Sequence, residues 1–170
     1  AFHRSRVMTA SPGPPSVQLI EAGLEHAALV DGLVAAFHRH EGVSVAANAR
    51  RASIEGLLGA PAQGRILLVK SYNAGIVGYA VLAFGYSLEF GGRDAFLDEL
   101  FIAEDVRGRG IGSATLAAVC AWARRENLCA LHLEVERDNE TAKALYIRAG
   151  FEDRSRYNLM SLHIANVQAD

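Results

Sequence analysis

The feature that most limits the fold of this chain is an arginine- and glycine-rich run between two different periodic patterns. The run Val106-Arg107-Gly108-Arg109-Gly110-Ile111-Gly112-Ser113 follows an apolar strand pattern and precedes a helical stripe. Glycine lets backbone N–H groups approach an anion without a Cβ in the way, and a helix N-terminus adds partial positive charge. Arg107 and Arg109 can add two full charges. The run therefore predicts a strand–loop–helix unit suited to a pyrophosphate.

Three kinds of phosphate loop compete for this run. A nucleotide-triphosphate loop needs a lysine and a hydroxyl residue after its last glycine, but Ser113 and Ala114 follow Gly112. A dinucleotide fingerprint, which an NAD-dependent oxidoreductase requires, needs a glycine at position 113. An Arg-x-x-Gly-x-Gly pattern fits at Arg107, Gly110 and Gly112. The alternative without a ligand is a tight strand-to-helix turn, because glycine commonly interrupts secondary structure.

Length and composition indicate one folded domain. The chain has 170 residues, 51% of them hydrophobic, and its 17 basic residues are balanced by 19 acidic ones. The apolar content excludes a disordered chain, and the net charge of −2 excludes a strongly basic nucleic-acid binder. No apolar run approaches the roughly 20 residues of a membrane-spanning helix. Cys120 and Cys129 cannot build a disulfide framework, so we expect two reduced thiols.

Periodicity gives the order of the elements. The proline-rich residues 1–16 are expected to form a flexible tail, and residues 17–170 a single domain without internal repeats. Helices are predicted over 24–40, 48–58, 110–127 and 139–149. Strands are predicted over 17–20, 66–71, 75–89, 95–102 and 131–136, with one or two more over 151–163. Strands two to four should form an antiparallel meander, and the whole an α/β fold with one mixed sheet and helices on both faces.

Two segments in the expected order resemble a known family. Arg107–Gly112 resembles the acetyl-CoA loop of the GNAT N-acetyltransferase superfamily. The segment Asn139–Phe151, with its Asn-Glu-Thr-Ala, Leu-Tyr and Gly-Phe pieces, resembles the second motif of that family. The resemblance covers roughly residues 17–163 and implies a mixed, mostly antiparallel GNAT-like sheet. Ile76–Tyr79 and Phe96–Ile102 are similar to the diamine and spermidine/spermine acetyltransferase branch.

The resemblance implies how acetyl-CoA is held. In the family the loop binds the pyrophosphate, and the pantetheine arm pairs with the preceding strand as an extra strand would. The implied binding residues are Leu100, Phe101 and Ile102 on the strand, Arg107, Gly108, Arg109, Gly110, Ile111, Gly112 and Ser113 in the loop, and Asn139. A backbone N–H near Leu100 would polarise the thioester oxygen. Asn139 is also a favoured helix N-cap, so capping is the alternative for this residue.

The resemblance also implies a general acid. Tyr146 resembles the family tyrosine whose hydroxyl points at the CoA sulfur. A phenol with a pKa near 10 is protonated at neutral pH and suits a thiolate acceptor. Because Tyr146 lies on the apolar stripe of its helix, core packing is the alternative.

Acidic residues are the candidates for the amine side of the reaction. Asp98 and Glu99 resemble the acidic positions that serve the acceptor, as catalytic and substrate-binding groups, and Glu41 resembles a further acceptor contact. Side chains alternate along a strand, so only one of the adjacent acids can face the cleft directly. Alternation places Glu99 on the same face as Leu97 and Phe101, and Asp98 on the face of Phe96 and Leu100. The sequence does not decide which of these two faces forms the acceptor cleft.

The resemblance implies an enzyme that transfers the acetyl group of acetyl-CoA to a primary amine by direct attack in a ternary complex, without a metal. The expected acceptor is a small diamine, polyamine or lysine-like amino acid. Acetylation of a peptide or protein amine, and a non-catalytic acyl-CoA-binding module, are the alternatives. The branch implies a homodimer, and a cytoplasmic location without nucleic-acid or membrane partners is expected. His38, His40 and His132 are expected at the surface.

Overall fold

The computed structural model describes residues 16–162 and residue 164. Apart from Ser16, the predicted N-terminal tail lies outside the described residues. The described part of the chain contains no helix that is both long and apolar enough to cross a membrane.

The described residues form a five-stranded sheet with four α-helices. The strands are β1 (Val17–Glu21), β2 (Gly64–Ser71), β3 (Gly75–Ser87), β4 (Gly92–Ile102) and β5 (Leu131–His132). The helices are α1 (Ala27–Glu41), α2 (Ala47–Leu58), α3 (Ile111–Arg125) and α4 (Glu140–Arg148), and short 3₁₀ turns precede α1 and follow β4. The strands lie side by side in chain order, antiparallel except for the parallel pair β4–β5. The predicted meander and mixed sheet are confirmed.

The sheet is covered on both faces, as the sequence predicts. On one face, α1 and α2 bury Val30, Val34 and Ile54 against a set from the central strands: Leu68, Tyr79, Val81 and Phe101. On the other face, α3 buries Leu116, Val119 and Trp122 against Leu67, Leu82 and Leu97. The helical spacing of these apolar residues, three or four apart, is what places them on one side of each helix.

The C-terminal strands are predicted wrongly. Only Leu131–His132 of the strand expected over 131–136 pairs with the sheet, and no strand forms in residues 151–162. His163, the last residue of the predicted strands, lies outside the described residues. Large apolar side chains of the segment are exposed, namely Tyr157, Leu159, Met160, Leu162 and Ile164. Side-chain type favours a strand, but a strand also needs a partner edge, and β5 offers a ladder of two residues.

Candidate active site

The glycine-rich loop joins the end of β4 to the start of α3. Gly108 and Gly110 have φ values of +74° and +78°, and Gly110 is the N-cap of α3. Side chains disfavour this left-handed conformation, which explains glycine at both positions. The first bond within the helix runs from the Ala114 N–H to the Gly110 carbonyl at 3.0 Å. The N–H groups of residues 111–113 precede it and point out of the helix end, where an anion can accept from them.

The two arginines of the loop have different surroundings. Arg107 donates from Nε to the Ile102 carbonyl at 2.7 Å, and its Nη1 lies 3.2 Å from His40 Nε2. Its guanidinium also lies 5.5 Å from the centre of the Phe101 ring. Arg109 is exposed. Arg107 therefore fixes the loop against β4 and α1, whereas the Arg109 side chain extends into solvent beside the helix end.

Among the residues that the structure describes, no strand pairs with the outer edge of the second half of β4. Strand β5 pairs with β4 at only two positions, Ala95 with Leu131 and Phe96 with His132. Directly after β4, the Ala103 N–H donates to the Val77 carbonyl of β3 at 2.8 Å. Because backbone groups alternate in direction along a strand, those of Leu100 and Ile102 point away from β3. The Leu100 N–H thus lies at an edge that β5 does not cover.

A β-bulge at Asp98 decides where the two adjacent acids point. Glu99 pairs with Val81 of β3, but Leu97 pairs with the next residue, Leu82, so Asp98 is an extra residue on β4. Leu97 packs with α3, while Glu99 and Phe101 lie on the face covered by α1. The expectation that Glu99 shares the face of Leu97 is therefore wrong, because the extra residue reverses the alternation.

Glu99 is held by two side chains on the α1 face. Its Oε2 accepts the Tyr79 hydroxyl at 2.6 Å, and its Oε1 lies 3.4 Å from His38 Nε2. Burial, followed by the hydrogen bond to Glu99, raises the pKa of the Tyr79 phenol far above its ordinary value. The Glu99 side chain remains 19% exposed. The structure therefore supplies a carboxylate that is fixed in place and still reachable from solvent.

The expectation of a surface His38 is wrong. Its side chain is 15% exposed, because α1 turns this residue towards β4. The sequence carries a signal for it, since His38 continues the four-residue spacing of the buried Val30 and Val34. Tyr79 is the other residue without an expected role, although it ends the segment that resembles the polyamine branch.

The remaining histidines are partly exposed. His40 is 42% exposed, with Nδ1 3.2 Å from Glu104 Oε1, and His132 is 30% exposed, with Nε2 3.3 Å from Asp94 Oδ2. Within the described residues, no group of three or more His, Cys, Asp or Glu side chains could hold a metal ion. Cys120 and Cys129 are both free thiols, as expected.

The other two predicted acids, Asp98 and Glu41, are both exposed. Asp98 is exposed at the bulge. Glu41 ends α1, with its side chain 41% exposed and Oε1 3.9 Å from His40 Nε2. No hydrogen bond or ion pair between described residues joins the side chain of Glu41 to that of Asp98 or Glu99.

Helix α4 carries the second predicted motif. Asn139 is the N-cap of α4, and the Asn139 Oδ1 accepts the Ala142 N–H at 3.0 Å. The helix-capping role considered for Asn139 is therefore present. Tyr146 is half-buried beside the core under α3 and packs edge-on against Phe151, with 5.8 Å between ring centres. Burial raises the pKa of the Tyr146 phenol, so this hydroxyl carries its proton at neutral pH. Packing and proton donation are thus compatible at this residue.

Comparisons with known proteins agree with this architecture. A bovine (Bos taurus) thialysine N-epsilon-acetyltransferase is 33% identical over 78 residues, which are 46% of this chain and 45% of that protein. This match spans less than half of the relative's length. An integron cassette protein from the mobile metagenome of Cole Harbour Salt Marsh is 30% identical, with a TM-score of 0.75 over 87% of this chain and 91% of that one.

More distant structures share the fold. Aminoglycoside N-acetyltransferase AAC(6′)-Iy, solved in complex with CoA, has a TM-score of 0.68 at 16% identity and covers 92% of this chain and 99% of that one. The family model described as "Acetyltransferase (GNAT) family" matches residues 28–151, well over half of the chain. The match of the family model over residues 28–151 shows that the chain belongs to the GNAT family of acetyltransferases.

Proposed function

We propose that this acetyltransferase transfers the acetyl group of acetyl-CoA to a small primary amine that carries a second positive charge, such as a diamine, polyamine or lysine-like amino acid. The observation that carries the proposal is Glu99, a carboxylate oriented by two side chains beside the open edge of β4. A carboxylate attracts a cationic amine and can accept its proton. The partial match to an acetyltransferase named for thialysine, an amine, supports the same acceptor class.

We propose that the acetyl donor lies along the open edge of β4 and ends at α3. Backbone groups of Leu100, Phe101 and Ile102 would pair with the pantetheine arm, and the loop residues 107–113 would hold the pyrophosphate. The N–H groups at the start of α3 fit an anion, since no acidic residue occupies the first turn. Asn139 could contribute only its Nδ2 group, because its Oδ1 is engaged in the cap.

The bound donor supplies an activated acetyl thioester. The Leu100 N–H at the strand edge can donate to the oxygen that becomes negative as the amine attacks. Glu99, directly or through a water molecule, would take the proton that the amine loses as its nitrogen bonds to the carbonyl carbon. Tyr146 would give its proton to the sulfur as the carbon–sulfur bond breaks, and would regain one from solvent. Asp98 and Glu41 would add negative charge near the amine.

The test is an acceptor panel. Release of CoA is measured with acetyl-CoA and 1,4-diaminobutane, spermidine, lysine, thialysine, a monoamine of matched length, and peptides with free N-terminal or lysine amines. We expect the highest kcat/KM with amines that carry a second cationic group. Turnover only with peptides would move the assignment to peptide or protein acetylation. Tight CoA binding without turnover on any amine would favour an acyl-CoA-binding module.

We propose a homodimer as the working state. Five large apolar side chains near the end of the described residues are exposed, from Tyr157 at 59% to Met160 at 90%. A patch of this kind on a protein in water is typical of an interaction surface. Sedimentation at assay concentration should give a dimer, and a monomer at all concentrations would contradict this. The cytoplasmic location expected from the sequence stays a prediction.

A further inference from the structure

Both oxygens of the Glu99 carboxylate have a side-chain partner. Tyr79 reaches Oε2 from the neighbouring strand β3, and His38 reaches Oε1 from α1. Tyr79 is fully buried, so its hydroxyl cannot turn to water instead. A carboxylate has about four lone-pair positions, of which these two partners use two. The remaining positions are available to an amine or a water molecule on the exposed side of the carboxylate.

The surroundings of His38 indicate where its ring proton lies. Its Nδ1 is buried and has no hydrogen-bond partner among the described residues, whereas its Nε2 faces Glu99. A neutral imidazole carries one proton, on one of its two nitrogens. A proton on Nδ1 would leave a buried donor unpaired and would set the Nε2 lone pair against a carboxylate. A proton on Nε2 would instead face Glu99 Oε1 across 3.4 Å, which makes His38 the second polar partner of this carboxylate beside Tyr79.

Aromatic packing limits the movement of this group. The rings of Phe37, Tyr79 and Phe101 pack around one another, with 6.0 to 6.4 Å between their centres, and Phe37 also lies 6.1 Å from the His38 ring. Close-packed interiors resist displacement of side chains. Asp98, in contrast, is exposed at the bulge.

We propose that Tyr79 and His38 are positioning residues that hold the Glu99 carboxylate in the one orientation in which it meets the acceptor amine. The inference rests on the proposed function, because Glu99 meets an amine only if an amine is the acceptor. Neither residue needs to touch the amine. Each acts by fixing one oxygen of Glu99, and together they leave the other lone pairs directed to the exposed side.

The kinetic test uses three variants and a matched control. Tyr79→Phe removes one hydroxyl, His38→Leu removes the imidazole donor, and His38→Gln keeps an N–H donor in that region. We expect Tyr79→Phe and His38→Leu to lower kcat/KM for the amine by about 10- to 100-fold, the order of a misplaced reacting group. The KM for acetyl-CoA should change less than twofold, and His38→Gln should recover most of the loss. Tyr86→Phe, at an exposed tyrosine of the same strand, should match the wild type.

A double-substitution cycle separates positioning from a general effect on folding. If Tyr79 acts through Glu99, adding Tyr79→Phe to Glu99→Gln should cause little further loss in kcat/KM. A merely structural role would lower the melting temperature and affect both substrates alike. The proposal would be overturned if the fold-loss in the double variant equalled the product of the fold-losses in Tyr79→Phe and Glu99→Gln. Wild-type kcat/KM in both Tyr79→Phe and His38→Leu would overturn it as well.

A measurement that does not depend on catalysis can test the contact between His38 and Glu99 separately from the proposed function. Nitrogen-15 NMR of the imidazole rings reports which nitrogen of His38 carries the proton. We expect the Nε2–H form in the wild type and a loss of that preference in Glu99→Ala. A proton on Nδ1 in the wild type would overturn the inference. Absence of turnover with every amine would overturn the proposed function and the role of Glu99 towards an amine, while the NMR result still decides whether His38 and Glu99 are in contact.

Discussion

Leu97 and Glu99 lie two residues apart on β4 and point to opposite faces of the sheet. The extra residue between them, Asp98, shifts the register with β3 and reverses the alternation. Leu97 can therefore stay in the core under α3 while Glu99 reaches His38 of α1. The same shift directs the Leu100 N–H to the edge that β5 leaves uncovered, so one bulge sets up both the acid and the strand edge.

This arrangement predicts unequal effects for the two neighbouring acids. Glu99→Gln keeps the side-chain shape and removes the charge, and we expect kcat/KM for a cationic amine to fall by about 100-fold, the order for loss of a proton acceptor. Asp98→Asn should cost less than 10-fold, because an exposed charge is screened by water and salt. Initial rates with each substrate varied in turn give the two KM values. Equal losses towards the amine and acetyl-CoA, or none, would remove both acids from the acceptor site.

Tyr146→Phe tests the general acid. The ring and its contact with Phe151 remain, so the free energy of unfolding should change by only about 1 kcal/mol, the order of one hydrogen bond. Acetyl-CoA affinity should be nearly unchanged, while kcat should fall by about 10- to 1,000-fold. Tyr72→Phe is the control, since Tyr72 is 83% exposed in the β2–β3 turn.

An acyl donor with a more acidic thiol strengthens this test. A better leaving group needs less protonation, so the kcat loss in Tyr146→Phe should shrink with such a donor. Wild-type kcat with acetyl-CoA would show that Tyr146 serves packing alone. The thiolate would then have to be stabilised by backbone groups or water.

Gly112→Leu tests the pyrophosphate site without backbone strain. Gly112 lies in the first turn of α3, its φ is not positive, and a Cβ there would meet nothing within 4 Å. A leucine can therefore be accepted by the fold but fills the space in front of the helix end. We expect the Kd for CoA to rise by more than about 10-fold, the loss expected when backbone N–H contacts to phosphate are blocked.

The control for this substitution is Gly56→Leu. Gly56 is an exposed glycine of α2 with equally open space around its Cβ position. Both changes should slightly stabilise a helix, by up to about 1 kcal/mol, because glycine is a poor helix former. Titration calorimetry should show normal CoA affinity for Gly56→Leu. Equal affinities in the two variants would contradict a phosphate site at α3. Gly110→Val is a less clean probe, since its φ of +78° adds strain.

Much of this architecture could be predicted because local signals were strong. Gly108 and Gly110, which the sequence marks as a loop before a helix, do adopt positive φ at the start of α3. Apolar residues at helical spacing predicted the buried side of α3. The bulge had no such signal. Phe96, Leu97, Leu100 and Phe101 are apolar on both parities of β4, so the pattern is the same with or without an extra residue. The face of Glu99 depends on pairing with β3, which is a property of the folded sheet.

Two further differences have physical causes of the same kind. The spacing from Val34 placed His38 on the buried stripe of α1, but histidine type alone favoured a surface position. The C-terminal apolar residues favoured strands, but in the described part of the chain the ladder of β5 ends after two residues. In both cases the deciding factor was a tertiary contact: Glu99 of β4 lies against His38, and no longer partner strand lies beside the C-terminal segment in the described residues.

The pH dependence of stability should reveal the link between α1 and α2. Asp31 accepts from Arg50 Nε at 2.7 Å and from Arg51 Nε at 3.1 Å, and its side chain is 15% exposed. The hydrogen bond from Arg50, with help from Arg51, holds the pKa of the Asp31 carboxyl below its ordinary value of 3.8. A lowered pKa in the folded state means that the stabilisation is complete well above pH 3.8 and is lost as the pH falls through the lowered value.

Asp31→Asn removes this contribution at every pH. We therefore expect the variant to melt below the wild type at pH 7 and at pH 5, with a gap that narrows as the pH falls below the ordinary carboxyl pKa of 3.8. Thermal unfolding followed by circular dichroism in matched buffers measures the gap. Asp153→Asn, at an exposed aspartate outside the ion pairs of the described residues, should show no such narrowing. If the difference in melting temperature between the wild type and Asp31→Asn stayed constant down to pH 2, the Asp31 carboxyl would act by its shape or by neutral hydrogen bonds. Only a contribution from its charge is lost as the carboxyl takes up a proton in this pH range.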